Sequence, residues 1–368
     1  MVKRIGSHHD ERRVADDLSP DEKPHIDVPM RLASAALALC AVLPRPPTMS
    51  RETLSGAVPI ALSLLDDVPS KHQAVGALVL VAILEAASSL EPEASAFLLE
   101  KCSSVVHSSL ESAIRQCGRD EPILFAVICL AQSRWITYFT FCSRNLDTAI
   151  SPSAVLAVTR KAAVDILIAV RKQAQTGGRD GNDERIARAL VAGVNPLLAQ
   201  LDRFPEAASV EIARIGLSAL LPVLGWSGMR PAVRTAQVAG MTSLVALMHG
   251  SAPVMPRHGM KIMTTLLLLL DRTDKDAAFL SCDKTLKSTD GGSADSKIST
   301  EATIHIALWT ASIALAICGY SAERVLVHVE KTHSSRQTLL DRCAEIRALV
   351  KTCSNHESCT ESQKEVHV

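Results

Sequence analysis

From Ala74 to Leu84 the chain reads AVGALVLVAIL, a stretch in which only Gly76 lies outside the apolar set. Wound as a helix it spans about 16 Å at ~1.5 Å per residue. Being apolar all round, it must be covered on several sides. The segment before it, PIALSLLDDVPSKHQ (59–73), supplies the cover. Val58, Ala61, Leu62 and Leu65 recur at helical spacing, and that face closes at Asp66-Asp67. Val68-Pro69-Ser70 then turns the chain, with Pro69 or Ser70 opening the next helix. The expectation is a helical hairpin with an acidic corner. The corner carboxylates lie near the second helix's N-terminus, where negative charge gains about 0.3–1 kcal/mol. As a catalytic carboxylate pair they lack any His, Lys or metal-ligand partner in the sequence around them.

The same grammar recurs downstream. Residues 195–224 give an apolar helix, Asp202-Arg203, a proline-marked turn and a second apolar helix; 260–280 repeats the ending at Asp271-Arg272. Leu-Asp closures at 65–66, 201–202 and 270–271 fit helical hairpins stacked as degenerate repeats. Composition agrees, because the chain is 47% hydrophobic but only 3% aromatic, so its apolar mass is Ala, Leu, Val and Ile. Short aliphatics suit packed helices better than a β-sandwich or barrel. The predicted fold class is all-α, a HEAT- or armadillo-like helical-repeat solenoid. At 368 residues the chain exceeds a single compact core.

Residues 1–26 are charged and proline-punctuated, and read as a disordered leader. Two blocks of helical repeats follow, 27–176 and 183–352, with the TGGRDGND segment (176–183) as the boundary. Predicted helices cover 30–43, 91–117, 122–143, 153–174, 183–202, 230–249, 300–319 and 322–352 beside those already named. The polar stretch 285–300 reads as a disordered insertion and 353–368 as a polar tail.

Charge and motifs narrow the function. Lys plus Arg and Asp plus Glu both total 39, so the formal net charge is zero. Such a chain has no general attraction to phosphate backbones or anionic lipid, which argues against nucleic-acid or membrane partners. The ten cysteines are scattered, and Cys40, Cys129 and Cys318 sit inside apolar helical runs. That reads as buried free thiols in a reduced compartment, cytoplasmic or nuclear. The N-terminus lacks the apolar core of a secretory signal. The longest apolar stretch, 304–320, is about a turn short of a ~20-residue span and contains His305, Thr310 and Ser312, so it reads as a buried helix.

Possible chemistry is sparse. GWSGM (225–229) has Met229 where a serine nucleophile elbow needs glycine, and follows a helix rather than a strand. It reads as a helix-ending loop. CSNHESC (353–359), with Cys343 upstream, has sulfur and imidazole ligands but no paired knuckle. Asp180-Gly181-Asn182-Asp183 lacks the spacing of a calcium loop, and no glycine-rich phosphate loop follows a strand. RKAAVDILIAVRK (160–172) is amphipathic, with Lys161 and Asp165 spaced for an i, i+4 pair on a solvated face. The expectation is therefore a non-enzyme with no metal or cofactor. SRWITYFTFCSR (133–144) concentrates Trp135, Tyr138, Phe139 and Phe141. The first three share one helical face and form either a local core plug or an aromatic anchor for a protein partner.

The hairpin carries a more specific likeness. Leu64, Leu65, Asp66, Asp67, Pro69 and Gly76, followed by Leu78, Leu80 and Leu84, resemble the TELO-two-interacting protein two family. The stretch 242–272 is similar to a later segment of that family, with Pro256-Arg257 at its turn and Leu266–Leu270 in the helix beyond. The resemblance spans roughly residues 30–320. It implies a non-catalytic scaffold subunit of a Triple-T complex, alongside a Tel-two-type protein and the larger interacting protein. That assembly works with the Hsp-ninety chaperone system to mature phosphatidylinositol-3-kinase-related kinases, which serve DNA-damage and growth signalling. The residues alone leave open another helical-repeat scaffold, such as a transport or cytoskeletal adaptor.

Overall fold

A computed structural model describes residues 51–67, 70–87, 98–116, 122–145, 151–174, 183–202, 210–227, 230–283, 293–333 and 335–364. Among the described residues the fold is all-helical and contains no strand. The chain divides into two compact units, Met1–Ser109 and Leu110–Val368.

In the first unit, helices α1 (Arg51–Leu65) and α2 (Ser70–Ala87) pack on each other as the hairpin predicts. Val58, Ala61, Leu62, Leu64 and Leu65 are buried from α1, and Ala77, Val79, Leu80, Ile83 and Leu84 from α2. Each large aliphatic so covered contributes about 1.5–3 kcal/mol relative to exposure. A π-helical turn, Leu98–Cys102, leads into α3 (Ser103–Gln116).

The second unit continues with α4 (Pro122–Asn145), α5 (Pro152–Ala174) and α6 (Asp183–Ala189). A π-helical turn, Leu190–Val194, joins α6 to α7 (Asn195–Asp202), and α8 (Val210–Leu224) and α9 (Pro231–Gly250) follow. After a 3₁₀ turn (Ala252–His258) come α10 (Gly259–Asp283), α11 (Ser293–Cys318), α12 (Tyr320–Thr332) and α13 (Gln337–Lys364). Within this unit α4 packs on α6, α7 on α9, α9 on α11 and α11 on α13. The intervening helices do the same, α5 on α8, α8 on α10 and α10 on α12. Contacts of α4 with α5, α8 with α9 and α10 with α11 join the two series across an aliphatic interior.

Several boundaries differ from the sequence reading. Leu270-Asp271 does not close a helix, because α10 runs on to Asp283. Asp271 is held there by Lys275 one turn on and by Arg336, so its charge needs no turn to reach solvent. The expected helix 322–352 is two helices, since α12 ends at Thr332 and α13 begins at Gln337. Residues 293–300, expected in a disordered insertion, form the first turns of α11, and 353–364, expected in a polar tail, continue α13. The 176–182 segment lies outside the described residues; helices on both sides of it belong to the second unit, whose limit falls at Ser109/Leu110. The leader 1–26 and the helix expected at 30–43 also lie outside the described residues.

Two described helical windows, Leu124–Cys142 and Thr300–Cys318, are long and apolar enough to cross a membrane by length and composition. Length therefore does not distinguish the 304–320 stretch from a span, because α11 begins well before it. Its surroundings are protein on one side: α9, α10 and α13 all pack on α11.

Candidate functional site

Of the residues that carry the family resemblance, Leu64, Leu65, Asp66 and Asp67 lie at the α1–α2 corner, Gly76, Leu78, Leu80 and Leu84 lie along α2, and Pro69 lies outside the described residues. Asp67 pairs with Nδ1 of His72 at 2.6 Å through its Oδ2. The Gln73 side-chain amide donates to the Asp67 carbonyl at 2.7 Å. Ser109 Oγ donates to Asp66 Oδ2 at 3.2 Å. Both aspartates thus work as fasteners, Asp67 to the first turn of α2 and Asp66 to α3. Leu64 and Leu65 are buried beneath them. Gly76 lies where α2 crosses α1, and a Cβ there would stand 2.6 Å from the Ala61 carbonyl oxygen and from the Leu65 nitrogen. A bare backbone is what allows the two helices to approach so closely.

The second family-like segment is also a corner. In the 3₁₀ turn Met255 is buried while Pro256 and Arg257 are exposed. Ser321 Oγ donates to the Pro256 carbonyl at 2.6 Å, and Cys318 Sγ to the Met255 carbonyl at 3.5 Å. The turn is thereby fixed to the α11–α12 junction, where Gly319 takes φ 52°, a left-handed value that glycine accepts without strain.

The aromatic cluster on α4 faces inward. Trp135, Tyr138 and Phe139 are buried, with the Trp135 ring 6.2 Å from that of Tyr138 and 6.0 Å from that of Phe139. These are the tilted ring contacts of a core plug. An exposed anchor on these three positions does not hold in this arrangement, because the helical face they share is the one α4 turns to its neighbours. Phe141, on another face, is the exposed member at 48%.

The described part of GWSGM, Gly225–Ser227, is a helix-ending loop, and Gly228 and Met229 lie outside the described residues. Gly225 and Trp226 follow the last turn of α8, and Arg272 donates to the Gly225 carbonyl at 2.5 Å. Gln237 Nε2 donates to the Trp226 carbonyl at 2.9 Å. Burial lowers the Arg272 pKa from its ordinary value, opposed by the nearby Asp276 carboxylate. Beside this loop sits a buried charge the sequence reading missed, Arg234, only 3% exposed on α9. It donates to Thr273 Oγ1 at 3.0 Å and Gln237 Oε1 at 3.3 Å, and pairs with Asp276. The available signal was an arginine set among Val233, Ala236 and Gln237 on an inward face. Lys161, on the solvated face of α5, pairs with Glu111.

Two further arginines tie α13 down. Arg342 is bidentate to Asp274, which raises its pKa, and Arg347 pairs with Glu330 and Glu323. Cys129, Cys142, Cys318 and Cys343 are buried free thiols. Burial pushes Cys318 and Cys343 up to about 11, so neither is a ready nucleophile. Among the described residues no group of three or more His, Cys, Asp or Glu side chains could hold a metal. The Cys353–Cys359 side chains and residues 180–182 lie outside the described set.

Compared with known protein families, curated proteins and solved structures, the chain matches none.

Proposed function

We propose that this chain is a non-catalytic, protein-binding scaffold built as a HEAT- or armadillo-like helical-repeat solenoid. The observation that carries the reading is the packing order in the second unit. There α4 rests on α6, α7 on α9, α9 on α11 and α11 on α13, while α5 rests on α8, α8 on α10 and α10 on α12, and the two series join across an aliphatic seam. That order is expected when each hairpin repeat buries its apolar face against its neighbours. Such a stack offers surface rather than a pocket, and binding then rests on area and a few anchors. The charged residues inside the fold fit this role, since Arg234, Arg342 and Arg347 each hold one helix to another.

Within this reading the particular assembly we propose is a Triple-T-like complex, intracellular and working with Hsp-ninety on phosphatidylinositol-3-kinase-related kinases. It rests on the two corner segments, 64–84 and 242–272. Affinity purification of the tagged chain after gentle lysis, with partner identification, tests it. Recovery of a Tel-two-type subunit and the larger interacting protein is the expected result. Recovery of transport or cytoskeletal proteins without them would move the assignment to the alternative scaffold class.

A further inference from the structure

Some cations of the second unit are taken up by carboxylates, and four that are not lie together. Arg214 on α8, Arg257 on the 3₁₀ turn, Lys261 on α10 and Arg324 on α12 are all exposed. None forms an ion pair among the described residues, whereas Lys161, Arg234, Lys275, Arg342 and Arg347 all do. Contacts between the helices bring the four to one end of the α8, α10 and α12 series. Gln237 at the start of α9 meets the Trp226 carbonyl just beyond the end of α8, and Gly216 of α8 lies against Leu247 near the end of α9. Helices α8 and α9 are therefore antiparallel. The start of α8 is then on the side where α9 feeds the 3₁₀ turn and α10. At that same end Ser321 bonds Pro256, which sets the start of α12 beside the start of α10. The four cations thus occupy the N-terminal ends of α8, α10 and α12, where helix dipoles add positive potential. Helix axes packed ~8–10 Å apart make this a patch about 20 Å wide.

Two apolar side chains stand among these charges. Met260, next to Lys261, is 50% exposed, and Tyr320, 5.9 Å beneath the Arg324 guanidinium, is 79% exposed. The acidic groups at this end are Glu211 on α8 and Glu323 in the first turn of α12, and Glu323 is already paired with Arg347, so the local balance is positive in a chain of zero net charge. We infer that this patch is a docking surface for an acidic protein segment carrying apolar side chains. Its carboxylates would meet Arg214, Arg257, Lys261 and Arg324, and its apolar groups would cover Met260 and Tyr320. Nucleic acid fits less well. Four cations make a short phosphate track, and the one aromatic present has its ring already under a guanidinium. The inference deepens the scaffold reading and does not depend on the Triple-T assignment.

A phage-displayed library of random 16-residue peptides selected on the full chain tests it. The expected result is enrichment of sequences combining Asp or Glu with Leu, Phe or Met. One selected peptide, made with a fluorophore, should bind R257E/K261E at least tenfold more weakly than wild type. Binding to R171E, altered in the last turn of α5 and outside the four cations, should be unchanged. Affinity should also fall steeply with added salt. Circular dichroism and thermal unfolding of each variant confirm that the fold is retained, and R257Q/K261Q replaces the reversal if it is not. Selection without acidic enrichment, equal binding by the patch variants, or tighter binding of a 20-nucleotide single strand or of phosphatidylserine vesicles would overturn the inference. Those results would leave the purification test of the scaffold assembly unaffected.

Discussion

Gly76 and Ala61 meet across the α1–α2 crossing with no room for a side chain: a Cβ on Gly76 would lie 2.6 Å from the Ala61 carbonyl oxygen. The obstacle is backbone, which cannot swing aside as a flexible side chain can. Gly76→Ala must therefore push the helices apart, and overpacking of this kind costs about 1–3 kcal/mol. Gly56 of α1 is the internal control, exposed and with nothing within 4 Å of its Cβ direction. There alanine should stabilise by roughly 0.5–1 kcal/mol through helix propensity. Opposite shifts of the denaturation midpoint for the two variants are the expected outcome; a gain for both would mean the hairpin is looser than described.

The aromatic cluster gives a second contrast. Trp135 is among the largest fully buried side chains, whereas Phe141, six residues on and on another face of α4, is half exposed. Trp135→Ala should cost about 3–5 kcal/mol by cavity formation. Phe141→Ala, which removes a ring already half exposed, should cost clearly less, about 1 kcal/mol. Urea unfolding of both variants checks this. A silent Trp135→Ala would mean that its ring is not packed as found.

These cases show what local pattern can and cannot say. The α1–α2 hairpin was legible because its aliphatic spacing, its Asp66-Asp67 corner and its proline all point the same way. The inward set of Trp135, Tyr138 and Phe139 was legible as one face, but which way that face turned depended on helices far along the chain. The reading failed at Leu270-Asp271 for a related reason. An aspartate after a leucine run looks like a helix end until Lys275 and Arg336 are known to neutralise it. Arg336 is remote in sequence, so that neutralisation is a tertiary fact. The cationic ends of α8, α10 and α12 were hidden likewise, since Arg214, Lys261 and Arg324 come together only by packing.

Arg234 and Asp276 predict an asymmetric pair of losses. Arg234 is enclosed, while the Asp276 side chain is 30% exposed. Asp276→Ala leaves a buried cation with only Thr273 and Gln237 for company, and breaking such a pair costs about 3 kcal/mol or more. Arg234→Met removes the charge that needed compensation and leaves a carboxylate that water can reach. Its loss should be clearly smaller. Chemical denaturation of both single variants measures the difference, and a larger loss for Arg234→Met would mean that the arginine contributes chiefly through its other hydrogen bonds.

The buried thiols predict how stability depends on alkaline pH. Cys318 and Cys343 are held up to about 11, for both first of all by burial, and for Cys343 also by Glu330. In the unfolded chain each returns to its ordinary value of 9.0. Below that pH both states keep their protons and the stability is fully present. As pH rises from about 9 through about 11, the unfolded chain releases protons that the folded chain retains, so the equilibrium moves toward unfolding. Thermal midpoints should therefore be flat from pH 7 to 8.5 as far as these thiols are concerned. They should then fall progressively toward pH 11. Cys343→Ala should lower the midpoint at neutral pH, because a buried group is lost, yet make its alkaline fall shallower. An unchanged slope in that variant would show that the Cys343 thiol titrates alike in both states.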